Sequence, residues 1–365
     1  MKSVSFTTIK KHLAALRPKA ANNSRAESPA PPQSAAVEDR AYEDRLKKEQ
    51  EVYRDCENVH ELPGIFHYWS NRYLRPKLET FGFSSPDQCF EVYAAAQCRR
   101  DLNHQNRFIS IGSGNCDLEI QIANALVNVG LCNFSIECLD INASMLDRGR
   151  QNAGRSAAAA HVSFTEADFN YWKPAMTYDG VFANQALHHV LELENLFDAI
   201  AKSLATDGVF VTSDMIGRNG HARWPEALDL VQEFWSTLPA KYKYNHQLRR
   251  QEEVFENWDC SGDGFEGIRA QDILPLLIER FRFRLFIAFA NIVDPFIDRS
   301  FGHNFNIEVE ADRVFVDRLH ERDEQEIQAG RIKPTHMIAV LGKTVSEMKY
   351  YPPLTPEFCV RKTAG

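Results

Sequence analysis

The chain has 365 residues, 44% of them hydrophobic, which is enough to bury a substantial core in one main domain with additions. Its formal net charge is −8 and no extended basic face is evident in the folded part, so the sequence does not favour a nucleic-acid substrate. The absence of an apolar run near the roughly 20 residues of a membrane span, and of any Cys-x-x-Cys pair among the eight cysteines, predicts a cytoplasmic protein with reduced thiols.

The chain begins with a segment, residues 1–37, that is predicted to be a disordered basic tail and linker, because it is polar and ends in a run rich in Pro and Ser. Residues 1–20 contain basic side chains and no acid, with apolar residues at helical spacing, so a weak peripheral contact with the inner membrane face is one interpretation. The other interpretation is a tail that lies in solvent without contacting a membrane. Residues 38–106 are predicted to form an N-terminal helical cap.

Strand signals begin at Arg107 and alternate with helical patterns. A short apolar run ends in a glycine turn, and a helix is predicted from Cys116 to Val127. Because parallel strands need crossover connections, the alternation predicts a doubly wound α/β domain with a mostly parallel sheet. Its seven predicted strands lie at 107–111, 134–139, 161–166, 178–183, 209–213, 281–288 and 337–341.

This α/β domain is expected to span residues 107–345. Two long polar and aromatic stretches interrupt the alternation, at 214–267 after the fifth strand and at 289–333 between the last two. Since the ligand edge of such a sheet lies at the carboxyl ends of its strands, we expect these insertions to cover the substrate. Residues 346–365 are predicted to be a C-terminal tail.

The turn Gly112, Ser113, Gly114 connects the first strand to its helix, where glycine lets the backbone pass close beneath a ligand. Asp140 follows the second strand, placed to accept hydrogen bonds from ribose hydroxyls, so the two features indicate an adenosine-containing ligand. A third glycine is absent, and Asp117 stands where a carboxylate would repel a pyrophosphate. The pattern therefore favours S-adenosyl-L-methionine over a nicotinamide dinucleotide, which is the alternative.

Four segments, residues 108–114, 139–146, 167–169 and 184–190, resemble the successive motifs of class I S-adenosylmethionine-dependent methyltransferases. The resemblance extends over about residues 107–215 and the two closing strands. It implies that the glycine turn meets the amino-acid part of the cofactor, an acid binds ribose, and an Asp-Phe pair meets adenine. The cofactor residues it implies are Gly112, Ser113, Gly114, Asp140, Ile141, Asp168, Phe169, Asn184 and Gln185.

The spacing from Gly112 to Asp140 is longer than is usual in that family, so Glu137 stays open as the ribose-binding acid. The flanking regions, residues 66–73, 216–224 and 265–272, resemble an uncharacterised bacterial group of methyltransferases loosely associated with glycan assembly.

Methyl transfer needs donor and nucleophile aligned in a site that excludes water, with a base only when the acceptor carries a proton. His188 and His189 follow the fourth strand at the ligand edge, and an imidazole titrates near neutral pH, so either could act as that base or could pack the next helix. Asp214 follows the fifth strand and could accept a proton, orient a histidine, or cap a turn. We expect catalysis to depend on these three residues.

Further polar residues in the cap and insertions are candidates for binding. Arg72 could pair with the cofactor carboxylate. Residues suited to recognise a hydroxyl-rich or charged acceptor, each with a surface role as the alternative, are Tyr68, Asn219, His221, Glu266, Arg269 and His303. No contiguous metal motif such as His-Glu-x-x-His occurs, so no metal is expected.

The sequence thus predicts an enzyme that methylates an oxygen or nitrogen of a small-molecule or glycan-like acceptor. The alternative is a non-catalytic cofactor-binding or scaffold protein at a membrane complex.

Overall fold

The computed structural model describes residues 35–54, 61–262 and 264–362. Residues 1–34 of the segment predicted to be a basic tail and linker, 1–37, lie outside these ranges. Among the residues that are described, no helix combines the length and the apolar character needed to cross a membrane.

A large β-sheet forms the centre of the domain. Its strands, with one separate hairpin formed by β6 and β7, are β1 (Asn106–Ile111), β2 (Phe134–Asp140), β3 (Val162–Glu166), β4 (Tyr178–Asn184), β5 (Leu204–Met215), β6 (Tyr244–Asn245), β7 (Arg250–Gln251), β8 (Arg282–Phe289), β9 (His336–Gly342) and β10 (Lys349–Tyr350). The order across the sheet is β10-β8-β9-β5-β4-β1-β2-β3, and only β9 runs antiparallel to its neighbours.

This order confirms the predicted doubly wound, mostly parallel α/β sheet. The sheet has eight strands rather than the predicted seven, because β10 pairs with β8 within the region expected to be a tail. A strand of two residues is too short to show the period-2 alternation by which strands are recognised in sequence.

Helices connect and flank the strands. They are α1 (Ala35–Arg54), α2 (Gly64–Trp69), α3 (Arg75–Glu79), α4 (Pro86–Arg100), α5 (Asp117–Asn128), α6 (Ala143–Ala153), α7 (Leu193–Ser203), α8 (Pro225–Thr237), α9 (Ala270–Arg280), α10 (Asp294–Ile297), α11 (Glu310–Gln328) and α12 (Pro356–Cys359). A π-helical turn, Ser70–Leu74, joins α2 to α3 just before Pro76, whose missing N–H interrupts regular helical bonding.

The strand order reverses direction between β1 and β4, which are neighbours in the sheet but distant in the chain. In open α/β sheets a ligand crevice forms at such a point, outside the carboxyl ends of the strands. Because β1 to β5 are mutually parallel along this part of the sheet, their last residues and the loops that follow share one edge. The interiors of β1 and β4 are almost fully buried, so the central part of this edge stands on the core.

Candidate active site

The glycine turn after β1 is folded tightly against the loop after β4. Gly112 and Gly114 have φ angles of +65° and +55°, a left-handed conformation that favours glycine. A Cβ at Gly112 would lie 2.7 Å from the Cβ of Ala186, so only glycine allows this approach. The turn therefore presents bare backbone to the crevice.

Asp140, the last residue of β2, faces this turn. Its Oδ2 accepts a hydrogen bond from the Gly114 N–H at 2.8 Å, and its Oδ1 accepts one from the Asn142 N–H at 2.8 Å. Burial raises the pKa of Asp140, while these two donors oppose the rise. A carboxylate oxygen can accept two bonds, so each retains capacity for a hydroxyl donor.

The alternative acid, Glu137, is engaged elsewhere. Its two carboxylate oxygens accept hydrogen bonds from Thr165 Oγ1 at 2.7 Å and Tyr178 OH at 3.0 Å. The geometry therefore favours Asp140 as the acid that faces the glycine turn.

Asp168 and Phe169 follow β3 at the same edge. The Ala167 N–H bonds to the Asp140 carbonyl at 3.0 Å, which ties the two strand ends together. Phe169 is buried, and its ring would lie 3.8 Å from a Cβ at Gly112. The structure thus gathers the glycine turn, Asp140 and the Asp168–Phe169 pair around one crevice.

Helix α1 contacts this crevice, which the sequence did not predict. The Tyr42 hydroxyl donates to Asp168 Oδ2 at 2.6 Å, and Gln50 Nε2 donates to the Ile141 carbonyl at 3.0 Å. The Asn142 side-chain amide donates to the Gln50 carbonyl at 3.2 Å. The sequence indicated only a charged helix in this region. It could not indicate these contacts, because contacts between residues far apart in the chain leave no local pattern.

Asp214, near the end of β5, is completely buried among hydrogen-bond donors. Its Oδ2 accepts from the N–H groups of Ala186 and Leu187 at 2.9 and 2.7 Å. Its Oδ1 lies 2.8 Å from the Met215 N–H and 2.7 Å from His188 Nδ1. Because a carboxylate only accepts, Nδ1 of His188 donates, and Asp214 fixes both the loop after β4 and the orientation of this ring.

Glu266 lies at the centre of three histidines. Its Oε1 is 2.6 Å from His221 Nε2 and 3.5 Å from His188 Nε2, and its Oε2 is 3.6 Å from His189 Nε2. On the other side of its ring, His189 Nδ1 lies 2.7 Å from Glu49 Oε1, which α1 contributes. We call His188, His189, His221, Glu49 and Glu266 the histidine–carboxylate cluster.

Charges in this cluster stabilise one another. Burial alone would lower the pKa of His188, but Asp214 and Glu266 outweigh it and raise the pKa to about 10. Burial would raise the pKa of Glu266, but His189, His188 and His221 hold it well below its ordinary value. The carboxylates of Asp214 and Glu266 therefore stabilise positive charge on the His188 ring.

His221 and Glu266 reach the cluster through two turns packed against each other. The Gly220 N–H donates to the Gly267 carbonyl at 2.9 Å. A Cβ at Gly220 would lie 1.8 Å from Asp259 Oδ1, and one at Gly267 would lie 3.0 Å from the Gly220 nitrogen. Both glycines have positive φ, so each turn depends on the absence of a side chain beside its functional residue.

The other residues predicted to bind the cofactor make the following contacts. Asn184 ends β4, and Gln185 follows it at a φ of +52° with its N–H bonded to the Ser213 carbonyl, both at the crevice edge. Ser113 donates its backbone N–H to the Leu139 carbonyl at 3.2 Å. The Ile141 carbonyl accepts a hydrogen bond from Gln50 Nε2 of α1.

Other predicted binding residues make their contacts elsewhere. Arg72 and Tyr68 both contact Asp317 on α11, at 3.4 and 2.9 Å, so the structure does not bring Arg72 to the glycine turn. Arg269 forms ion pairs with Glu194 and Asp272.

Asn219 accepts a bond from the Gln271 N–H, and His303 is exposed with its ring 5.3 Å from that of His246. Closeness to a motif in sequence does not determine which face of an insertion turns inward, so the binding roles of these residues stay predictions.

The doubly wound sheet, with a glycine turn facing an acid at the end of β2, has the arrangement that the resemblance to class I methyltransferases predicts. Residues 102–259 match the family model described as a methyltransferase domain. This segment of the chain is therefore similar to methyltransferase domains. None of the curated proteins matches the sequence.

Similar solved structures have low sequence identity. The O-methyltransferase of a trans-AT polyketide synthase multienzyme from Brevibacillus brevis, in complex with S-adenosyl-L-homocysteine, is 15% identical; the match covers 83% of this chain and 88% of that one, with a TM-score of 0.42. A putative sarcosine dimethylglycine methyltransferase from Galdieria sulphuraria is 13% identical over 71% and 86%, with a TM-score of 0.40. A methyltransferase from Geobacter sulfurreducens is 11% identical over 70% and 90%, with a TM-score of 0.38.

Proposed function

We propose that this chain is an S-adenosylmethionine-dependent methyltransferase that acts on an oxygen or nitrogen of a small polar or glycan-like acceptor, which binds beside the histidine–carboxylate cluster. The observation that carries the proposal is the position of this cluster next to the cofactor crevice. His189 lies close enough to Asp140 to lower the pKa of that carboxyl, and Glu49 close enough to raise it. A proton-accepting group therefore lies beside the acid proposed to hold the ribose.

The chain's residues fit the cofactor. The backbone at Gly112 and Gly114 would meet its amino-acid part, Asp140 would accept from its ribose hydroxyls, and Asp168 with Phe169 would meet its adenine. When bound, S-adenosylmethionine supplies an electrophilic methyl group on a positively charged sulfonium.

We assign the proton of a hydroxyl or amine acceptor to His189. Asp214 holds the neighbouring ring of His188, which is 5% exposed, by its Nδ1. His189 is more accessible, at 14%, and lies close enough to Asp140 to affect the pKa of that carboxyl. Glu49 at its Nδ1 would stabilise the positive charge that the ring gains with the proton.

The surroundings of the cluster favour a polar acceptor. Arg223 donates from Nη1 to the His221 carbonyl at 2.9 Å and from Nη2 to Asp294 at 2.7 Å. Nearby, desolvation raises the pKa of Asp298 although 40% of its side chain is exposed. Charged and hydrogen-bonding groups of this kind suit hydroxyl or charged ligands.

The test is methylation of a metabolite extract, followed by mass spectrometry for products that gain one methyl group and for S-adenosylhomocysteine. We expect both products from the intact chain. The His189→Ala variant should lose about 10²- to 10⁴-fold in rate, the usual contribution of a general base, while its cofactor affinity changes little. His303→Ala, a change at an exposed histidine, is the matched control.

Cofactor binding without S-adenosylhomocysteine release by any extract would contradict the proposal and support the non-catalytic alternative. An unchanged rate in His189→Ala would remove His189 from the role of base.

A further inference from the structure

We propose that His188, His221 and Glu266 form a binding site for a divalent transition-metal ion. Three ligand atoms, one from each residue, lie within 4.8 Å of one another. They come from the loop after β4, the turn after β5 and the turn before α9, so no contiguous sequence motif could reveal them. The role of the ion in catalysis rests on the proposed function, whereas its binding does not.

The spacing of the ligand atoms suits such an ion. Metal–ligand bonds of about 2.0–2.2 Å to His and carboxylate place neighbouring ligand atoms about 3 Å apart. The observed separations from Glu266 Oε1, 2.6 Å to His221 Nε2 and 3.5 Å to His188 Nε2, lie on either side of that value. The third separation, between the ligand atoms of His188 and His221, is at most 4.8 Å, so a closing movement of these side chains would complete the coordination.

His188 is already oriented as a ligand. Its Nδ1–H donates to the buried Asp214 at 2.7 Å, so Nε2 is the nitrogen turned towards Glu266. Metal-bound histidines almost always donate their second ring N–H to a carboxylate or carbonyl in this way. Asp214 would thus be a positioning residue behind the metal site.

His221 is held in place at a conformational cost. Its φ of +55° lies in the left-handed region, which residues other than glycine adopt rarely and at a cost of about 1 kcal/mol or more. Such strain persists where the surrounding structure enforces it, and it is concentrated at functional sites. Here the strained turn aims the His221 ring at Glu266.

Two imidazoles and one carboxylate are a ligand set for a first-row transition ion with open coordination positions. Glu266 is 38% exposed and His188 only 5%, so an acceptor would approach the ion from the side of Glu266. An acceptor hydroxyl bound there would acidify; its O–H bond breaks, the proton passes to His189, and the oxygen stays bound to the ion. This extends the proposed function to acceptors that can coordinate a metal through oxygen.

A second group within the described residues, Cys116, Glu119 and Cys138, also places three ligand atoms within 4.8 Å. All three residues are buried. This group is a natural internal control, because cobalt bound to thiolates shows an intense charge-transfer absorption that cobalt bound to nitrogen and oxygen lacks.

The experiment is a titration of the full chain with Co²⁺, without cofactor or acceptor, followed by visible absorption. We expect one equivalent to bind with the weak bands of a nitrogen–oxygen site. His221→Ala and Glu266→Gln should each weaken binding at least 10-fold, whereas Cys138→Ser and His303→Ala should leave it unchanged. Circular dichroism of each variant confirms that it is folded.

The inference is overturned if folded protein binds no Co²⁺ at millimolar concentration, if Cys138→Ser abolishes the spectrum, or if His221→Ala and Glu266→Gln bind like the parent. Cofactor binding measured in parallel separates the two proposals. Cofactor binding without Co²⁺ binding rejects the metal site alone, and Co²⁺ binding without cofactor binding rejects the proposed function alone.

Discussion

The substitution Asp214→Asn tests how a buried carboxylate controls the cluster, because it changes two hydrogen bonds without changing shape. Oδ2 of Asp214 accepts from two backbone N–H groups, Ala186 and Leu187, so the carbonyl of the new side chain should occupy that position. The amide NH₂ then replaces Oδ1 and faces the Met215 N–H and Nδ1 of His188.

Two consequences follow from this orientation. The Met215 N–H loses its acceptor, which should lower the free energy of unfolding by about 1–3 kcal/mol. Nδ1 of His188 must accept rather than donate, so the imidazolium gives up its Nδ1 proton and keeps the one on Nε2, the atom that faces Glu266. Loss of such a supporting contact typically costs 10- to 100-fold in metal affinity, so we expect Co²⁺ binding to weaken by that factor.

Nitrogen-15 NMR of the imidazole rings reports which nitrogen of His188 carries the proton, and the Co²⁺ titration gives the affinity. The reasoning would be refuted if Asp214→Asn kept the proton on Nδ1 and bound Co²⁺ as tightly as the parent.

Three further changes probe separate parts of the structure. Tyr42→Phe removes the hydroxyl that occupies Asp168 Oδ2, so calorimetry should show tighter cofactor binding, by about 2- to 10-fold for one hydrogen bond of 0.5–1.5 kcal/mol; weaker binding would contradict competition at that oxygen. Gly220→Ala places a Cβ 1.8 Å from Asp259 Oδ1, so thermal unfolding should fall and Co²⁺ binding weaken, whereas a neutral result would exclude dependence on this turn. Burial raises the pKa of Asp323 to about 7, so the native state holds its proton more tightly than the unfolded state and loses stability as pH rises from about 4 to about 7; Asp323→Asn should flatten that slope in denaturant titrations, and an unchanged slope would reject the assignment.

The sheet and its ligand edge could be predicted from sequence because they depend on local periodicity. Each predicted strand of the sheet has a counterpart within a few residues, and β5 is longer, beginning at Leu204. The strand that was missed, Lys349–Tyr350, is too short for a period and forms only by pairing with β8.

Which residues come together at the site was harder to predict from the sequence. His188, His189 and Asp214 could be placed at the edge because each follows a strand. His221 and Glu266 are 45 residues apart in the chain. They meet His188 because two glycine turns pack against each other. The contact of α1 with Asp168 and Ile141 likewise depends on tertiary packing alone.

The most direct test of the account is calorimetric titration of the intact chain with S-adenosylmethionine, compared with two variants. Asp140→Ala removes a charged acceptor for two ribose hydroxyls, each bond worth about 1.5–3 kcal/mol, so affinity should fall by about 100-fold or more. Glu137→Gln, a change at the acid engaged by Thr165 and Tyr178, should bind like the parent. Failure of the folded parent to bind at millimolar concentration, or equal affinity in Asp140→Ala, would contradict the central claim that the cofactor lies between the glycine turn and Asp140.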